Sequence, residues 1–226
     1  MRNIVLISIL FSLLCPVVKA QRGPLRGLGK VHLKSYDVRD FDKIRLEDLD
    51  GKIEVEIGKP FSVKIEIDEN LALLLEVNKE EKEGVLSISL KGNYNNKMYI
   101  EDTHIKVKIT MPEASVIQHR GNSALHIAGI AGRYFRLEND GNGDVQLQGS
   151  IDALDIKKNG NGEVKAKNLV AKTAKVKSYG NGNVWVNAQI SLTAHGSGNN
   201  SVLQCGPGKI EPLSGITGNG SVRSLE

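Results

Sequence analysis

Six glycine-centred turns recur through the second half of this sequence, and their spacing restricts the available folds more than any other feature. They stand at Gly121-Asn122-Ser123, Gly141-Asn142-Gly143, Gly160-Asn161-Gly162, Gly180-Asn181-Gly182, Gly196-Ser197-Gly198 and Gly218-Asn219-Gly220, with spacings of 20, 19, 20, 16 and 22 between first glycines. A period near twenty marks an array whose single unit cannot bury its apolar face without stacked neighbours. Alignment on the first glycine supports this. Four residues before it stand Ile117, Leu137, Ile156, Val176 and Leu192; four after it stand Leu125, Val145, Val164, Val184 and Val222; six after it stand Ile127, Leu147, Ala166, Val186 and Val202. The unit at Gly196 has Asn200 at plus four, which reads as one inserted residue. The last unit puts Ser214 and Ser224 at apolar offsets, as a capping repeat does.

Each unit therefore reads as strand, turn, strand, with residues two apart pointing inward. Two architectures satisfy that pattern. Asn-Gly is a strong hairpin signal, so the units could be successive antiparallel hairpins; a parallel β-helix would instead stack coils about 4.8 Å apart and align the aliphatics into ladders. Uniform coil length favours the β-helix. So does composition, because 24 glycines and only 4% aromatic residues describe an interior of Val, Ile, Leu and Ala. At the turn centres Asn142, Asn161, Asn181 and Asn219 tolerate left-handed backbone and can hydrogen-bond between stacked turns.

The stretch before Pro112 alternates with period two, as in Ile53, Val55 and Ile57, then Val63, Ile65 and Ile67, Leu86, Ile88 and Leu90, and Ile105, Val107 and Ile109. These are half-buried strands with one wet face. The segment 70–79, NLALLLEVNK, fits either a helix or a buried strand, and 91–97 reads as a turn or loop. Residues 21–40 begin QRGPLRGLGK and read as a flexible leader. Residues 1–20 carry Arg2, the apolar run from Ile4 to Leu14 and Val18-Lys19-Ala20, the pattern of a secretory signal peptide cleaved between Ala20 and Gln21. That run is about half of the ~20 residues a membrane-spanning helix requires, so no transmembrane segment is expected. Leu14 stands where lipidation at Cys15 would want a small residue. Without Cys15 the mature chain keeps Cys205 alone, and no intrachain disulfide is expected. Without Arg2 and Lys19 it holds 28 basic residues against 26 acidic ones, too balanced for nucleic acid as the main partner.

The ordered set of features, FDKIRLEDLDGKIEVEIG, then a proline after a strand in IKVKITMP, then successive Gly-x-Gly turns, resembles the head GIN domain of putative auto-transporter adhesins. The resemblance runs over 41–226, divided into 41–112 with alternating strands and 113–226 with glycine-turn repeats. It implies an all-β, right-handed parallel β-helix, a Bacteroidetes-type cell envelope, a role in adhesion and assembly as a homo-oligomer, a trimer. The family's shape is that of pectin lyases without their catalytic residues, and it brings no established site. Here Asn replaces the family's usual central Ser.

No cofactor or catalytic constellation emerges from the residues. Asp140-Gly141-Asn142-Gly143-Asp144 places oxygen ligands as a calcium loop does, but Val145 and Ile151 then occupy the positions needing Gly and Glu. Of the histidines, His119 and His126 flank one turn and could approach each other; all five are otherwise expected to face solvent. A polysaccharide lyase or hydrolase would need paired carboxylates on adjacent coils, and Asp152 and Asp155 have no echo in the next unit.

The basic residues are more suggestive. Lys157, Lys158, Lys165, Lys167, Lys172, Lys175 and Lys177 lie on neighbouring units and are read as outward, so stacking would gather them into a cationic patch for anionic glycans or lipid headgroups. Outward lysines also serve as edge protection and solubility devices. Trp185, outward between Val184 and Val186, is a contact for a sugar or a subunit interface. The sequence thus points to an exported, non-enzymatic envelope adhesin, in the periplasm, on the outer-membrane surface or extracellular, that attaches to a surface glycan or another cell-surface ligand. Its candidate ligand surface is Lys157, Lys165, Lys175, Lys177 and Trp185. The alternatives are a carbohydrate-active β-helix enzyme and a structural assembly module.

Overall fold

The computed structural model describes residues 24–91 and 100–225. The signal segment, Cys15, the Ala20–Gln21 junction and most of 91–97 lie outside the described residues. Within them the protein is all-β, apart from one short 3-10 turn at Glu69–Leu71, and seventeen strands join in one mostly parallel sheet.

The pairing register decides between hairpins and stacked coils. Tyr134–Gly141 runs parallel to the later part of Val145–Gly160, with Leu137 opposite Ile156. Val145–Gly160 pairs in parallel with Val164–Asn181, and that strand with Val184–Asn199, with Val145, Val164 and Val184 in line. The strands on either side of each turn pair with the corresponding strands one unit away, so the turns are corners of stacked coils and not hairpin loops. Bulges near Gln146–Gln148 and Ala166–Val170 bend the long strands at a second corner, where Leu169 and Ala171 also point inward and are fully buried.

Stacking in register produces the ladders that the offsets implied, except that Ala194 and not Leu192 continues the minus-four ladder. Leu86, Ile44, Ile117, Leu137, Ile156, Val176 and Ala194 follow one another across the sheet, each no more than 1% exposed. Burial of such a side chain stabilises by roughly 1.5–3 kcal/mol. A second ladder runs from Val107 through Ile53, Leu125, Val145, Val164, Val184 and Val202 to Val222, which is only partly buried.

Three sequence expectations are corrected. Gly180 pairs with Gly198 and not with Gly196, so the fifth corner is Gly198-Asn199-Asn200, Val202 falls at the regular apolar offset and no inserted residue is needed. The leader is not irregular throughout, because Val31–Tyr36 is a strand antiparallel to Ser62–Asp68. The segment 70–79 is neither one helix nor one strand: the 3-10 turn is followed by the strand Leu75–Glu80.

The first half also holds a coil that the repeat did not reveal. Lys43–Leu49 and Gly51–Ile57 stack under Val116–Gly121 and Ala124–Ile130, with Ile44 opposite Ile117 and Ile53 opposite Leu125. On their other side lie Val85–Leu90 and Ile105–Met111, also parallel. Antiparallel strands then close this end: Leu75–Glu80 on the first of these, Ser62–Asp68 on the second, and Val31–Tyr36 outermost. An open parallel edge would invite further pairing, and the outermost strand carries His32 and Lys34 against it.

Candidate functional site

Everything the surface can do is set by the stacked corners. Each corner's backbone approaches the one before it closely: a Cβ at Gly160 would sit 2.3 Å from the Gly141 carbonyl oxygen, and Gly160 has φ +116°, so glycine is required twice over. The central asparagines form a continuous amide ladder. Asn142 Nδ2 donates to Asn122 Oδ1 at 3.0 Å, Asn161 to Asn142 at 2.7 Å, Asn181 to Asn161 at 2.6 Å, Asn199 to Asn181 at 3.1 Å and Asn219 to Asn199 at 3.0 Å. The order never reverses, so the amide dipoles run head to tail along the stack.

Beneath this ladder the interior is polar. Two residues before successive corner glycines stand His119, Asn139, Lys158 and Ser178, aligned across the sheet and at most 1% exposed. Asn139 and Lys158 supply donors to corner carbonyls, His119 bonds to neighbouring side chains, and Ser178 Oγ has no hydrogen-bond partner among the described residues. Asn139 Nδ2 donates to the Gly143 carbonyl at 3.2 Å, while Lys158 Nζ donates to the Gly160 carbonyl at 2.9 Å and also to that of Asn181. His119 Nδ1 lies 2.7 Å from Asn139 Oδ1, an acceptor, so Nδ1 carries the proton and Nε2 accepts from Ser123 Oγ at 2.7 Å. Burial lowers the His119 pKa and pushes that of Lys158 down to about 8. His119 and Lys158 were both expected on the outside, and they point inward instead. His126 is exposed on the opposite side of its strand, so the two histidines do not converge.

The candidate lysines divide between two faces. Lys157, Lys175 and Lys177 lie on strands that precede the corner, with Lys157 directly opposite Lys177, and Lys175 two residues before it. Lys175 and Lys177 are exposed, Lys157 is half-buried, and none of the three makes an ion pair among the described residues. Exposed His195 and Tyr179 border them, the former opposite Lys177. Lys165 and Trp185 lie after the corner, opposite one another on adjacent strands, with Lys165 Nζ 6.0 Å from the indole centroid. Lys165 is bound by acids, its Nζ 2.8 Å from Glu163 and 3.6 Å from Asp144, and the bond to Glu163 is the main cause of its raised pKa. Lys172 likewise pairs with Asp152 at 2.7 Å. The five residues therefore form two separate surfaces: a cationic one before the corner and a charge-compensated one after it.

The acidic candidates are engaged elsewhere. Asp140 Oδ1 accepts from Asn159 at 2.7 Å, Asp144 Oδ1 accepts from the Glu163 backbone N–H at 2.9 Å, and Asp155 faces Arg136 and Tyr134. Among the described residues no three His, Cys, Asp or Glu side chains converge as a metal site would require, and no helix is long and apolar enough to cross a membrane.

Among solved structures, a putative adhesin from Bacteroides fragilis superposes with a TM-score of 0.68 at 22% identity, over 89% of this chain and 100% of its own. A putative lipid binding protein and a putative adhesin, both from Parabacteroides distasonis, give 0.52 at 21% identity (90% and 100% coverage) and 0.53 at 19% identity (89% and 99% coverage). At these identities the likeness is one of fold. No curated protein matches the chain. A family model matches residues 40–207, and by it the chain belongs to the family described as putative auto-transporter adhesin, head GIN domain.

Proposed function

We propose that the protein is an exported, non-catalytic adhesion module of the cell envelope, whose stacked units form a right-handed parallel β-helix and present a cationic face to an anionic surface ligand. The observation that carries this reading is the unpaired trio Lys157, Lys175 and Lys177. Glu138 stands opposite Lys157 and Asp155 opposite Lys175, but Arg136 engages both acids, at 2.6 and 3.8 Å; Lys157 against Lys177 then sets like charges on neighbouring strands, a cost that a bound anion would offset. Export is supported by the pattern of residues 1–20, and adhesion by the family. Self-association into a trimer, which the family resemblance implies, would repeat the face around an axis and multiply weak contacts.

Sulfate and carboxylate groups on a glycan supply such an anion, and so does a lipid headgroup; the likeness in fold to a putative lipid binding protein keeps the latter among the probes. The test is retention of the full chain on an immobilised sulfated polysaccharide and on vesicles rich in anionic lipid. Binding is expected to one of them and to weaken as salt rises, because exposed charges are screened over about 8 Å at physiological ionic strength. Lys157→Gln, Lys175→Gln and Lys177→Gln together should weaken it by roughly tenfold or more, equivalent to about 1.4 kcal/mol. Binding untouched by the triple substitution, or measured turnover of an acidic polysaccharide, would overturn the reading.

A further inference from the structure

The face after the corner carries a different chemistry. At one register position Ala124–Ile130, Val145–Gly160, Val164–Asn181 and Val184–Asn199 set His126, Gln146, Lys165 and Trp185 side by side. Further along, Gln148 stands opposite Asn168. A shallow depression of about 200 Å³ lies among His126, Gln146, Gln148, Lys165, Lys167 and Asn168. The amides of Gln146, Gln148 and Asn168 are exposed and make no hydrogen bond within the described residues. Gln118 on the other face differs, being held between Arg45 and Glu138.

A free primary amide offers two donors and an acceptor without net charge, the set that addresses vicinal hydroxyls. The charge of Lys165 is compensated by Glu163 and Asp144, so the strip attracts ions less than the lysine trio does. At its end stands the half-buried indole of Trp185, an aromatic surface next to those polar groups with Lys165 Nζ 6.0 Å from its centroid. A shallow row of free amides ending at one aromatic ring is an open strip suited to a polar, extended ligand and not a closed apolar pocket.

We propose that this strip binds a neutral oligosaccharide laid across the strands from His126 to Trp185, with the amides on its hydroxyls and the indole against a pyranose face. The proposal rests on the adhesion reading for its biological sense and names a second ligand class on a second face; its chemistry does not involve the lysine trio. The arrangement suits a chain of sugars, since the side chains recur at the strand spacing of about 4.8 Å.

Trp185 is the sole tryptophan, so intrinsic fluorescence reports on this strip directly. The full chain is titrated with neutral oligosaccharides of glucose, xylose and mannose, at about 0.05 M and about 1 M salt, where the screening length falls to about 3 Å. The expected result is a saturable change in emission with at least one of them, with the same midpoint at both salt concentrations. Gln146→Ala with Gln148→Ala should weaken it by about tenfold, some 1.4 kcal/mol. The triple lysine substitution should leave it unchanged. No change in emission with any of the three sugars would overturn the proposal while leaving sulfated-polysaccharide binding to be judged on its own. A change abolished by high salt or by the lysine substitutions would overturn it too, by assigning the ligand to the cationic face.

Discussion

Lys158 owes its depressed pKa to burial, and the sign of the resulting pH dependence runs against what a basic side chain usually brings. Its folded pKa of about 8 lies below the ordinary 10.5, so between those values the unfolded chain holds a proton that the folded chain has released. Stability from this group is therefore complete only above pH ~10.5 and is lost as pH falls through 8, a difference of roughly 3 kcal/mol. Urea unfolding at pH 7.5 and pH 10.5 should show the wild type gaining on Lys158→Met by about that amount; a constant gap between the two would mean that the ammonium is not desolvated. His119 has the same sign at lower pH, since its lowered pKa makes acidification below about 6.5 favour unfolding. Side by side, Val164 and Lys165 give the contrast of inside with outside. Val164→Asp buries an unpaired carboxylate in a ladder position with 0% exposure and should destabilise by several kcal/mol. Lys165→Asp loses two surface ion pairs and adds an acid beside Glu163 and Asp144, which should cost about 1 kcal/mol. Equal effects in thermal unfolding would remove the assignment of faces.

Among the elements, the corner is the one that ties unit to unit, and the asparagine ladder makes its contribution measurable. Asn161 both donates to Asn142 and accepts from Asn181, whereas Asn219 only donates. With each exposed bond at the low end of the ~0.5–1.5 kcal/mol range, Asn161→Ala should cost about twice what Asn219→Ala costs in urea unfolding. Equal losses would mean that the amides stack without adding to stability. The same corners explain what could be read from sequence. The ladders were legible because burial demands an aliphatic residue at a fixed distance from each glycine, and five of six glycines marked the corner correctly. Gly196 misled because Gly196-Ser197-Gly198 looks like the other turns, while the true corner, Gly198-Asn199-Asn200, lacks the second glycine. The coil at 43–57 was illegible for a different reason: its corner at Asp48 to Gly51 has no Gly-Asn-Gly signal, and its partners among the glycine-turn units lie more than seventy residues away. At the candidate site, parity along each strand and position relative to the corner glycines sort the lysines. Lys158 shares the even offset of Ile156 and so points inward, and the lysines fall on opposite sides of Gly160 and Gly180, which separates them onto two faces.

Over the whole molecule the two ends of the stack differ. One end is closed by the antiparallel strands Leu75–Glu80, Ser62–Asp68 and Val31–Tyr36, which satisfy the backbone of the outer parallel strands. At the other, Gly215–Gly218 and Val222–Ser224 stack on Val184–Asn199 and Val202–Gln204 on one side only among the described residues. Burial follows suit: Ile216 and Val222 are only partly covered, whereas Val164 and Val184 are at 0% exposure. Where each unit pairs only with its neighbours, stability is close to a sum of nearest-neighbour terms, so a unit with one neighbour opens before a unit with two. Hydrogen exchange should therefore find amides in 215–224 the least protected of the stacked strands, with protection rising toward 145–186. Both proposed binding faces lie in the better protected units, between His126 and His195. Ile216→Asp should accordingly raise exchange in the last unit while leaving the tryptophan emission of Trp185 and retention on a sulfated polysaccharide unchanged. If that substitution instead unfolded the chain in one cooperative step, or removed binding along with terminal protection, the units would be coupled over the full length of the stack and the two faces would depend on its end.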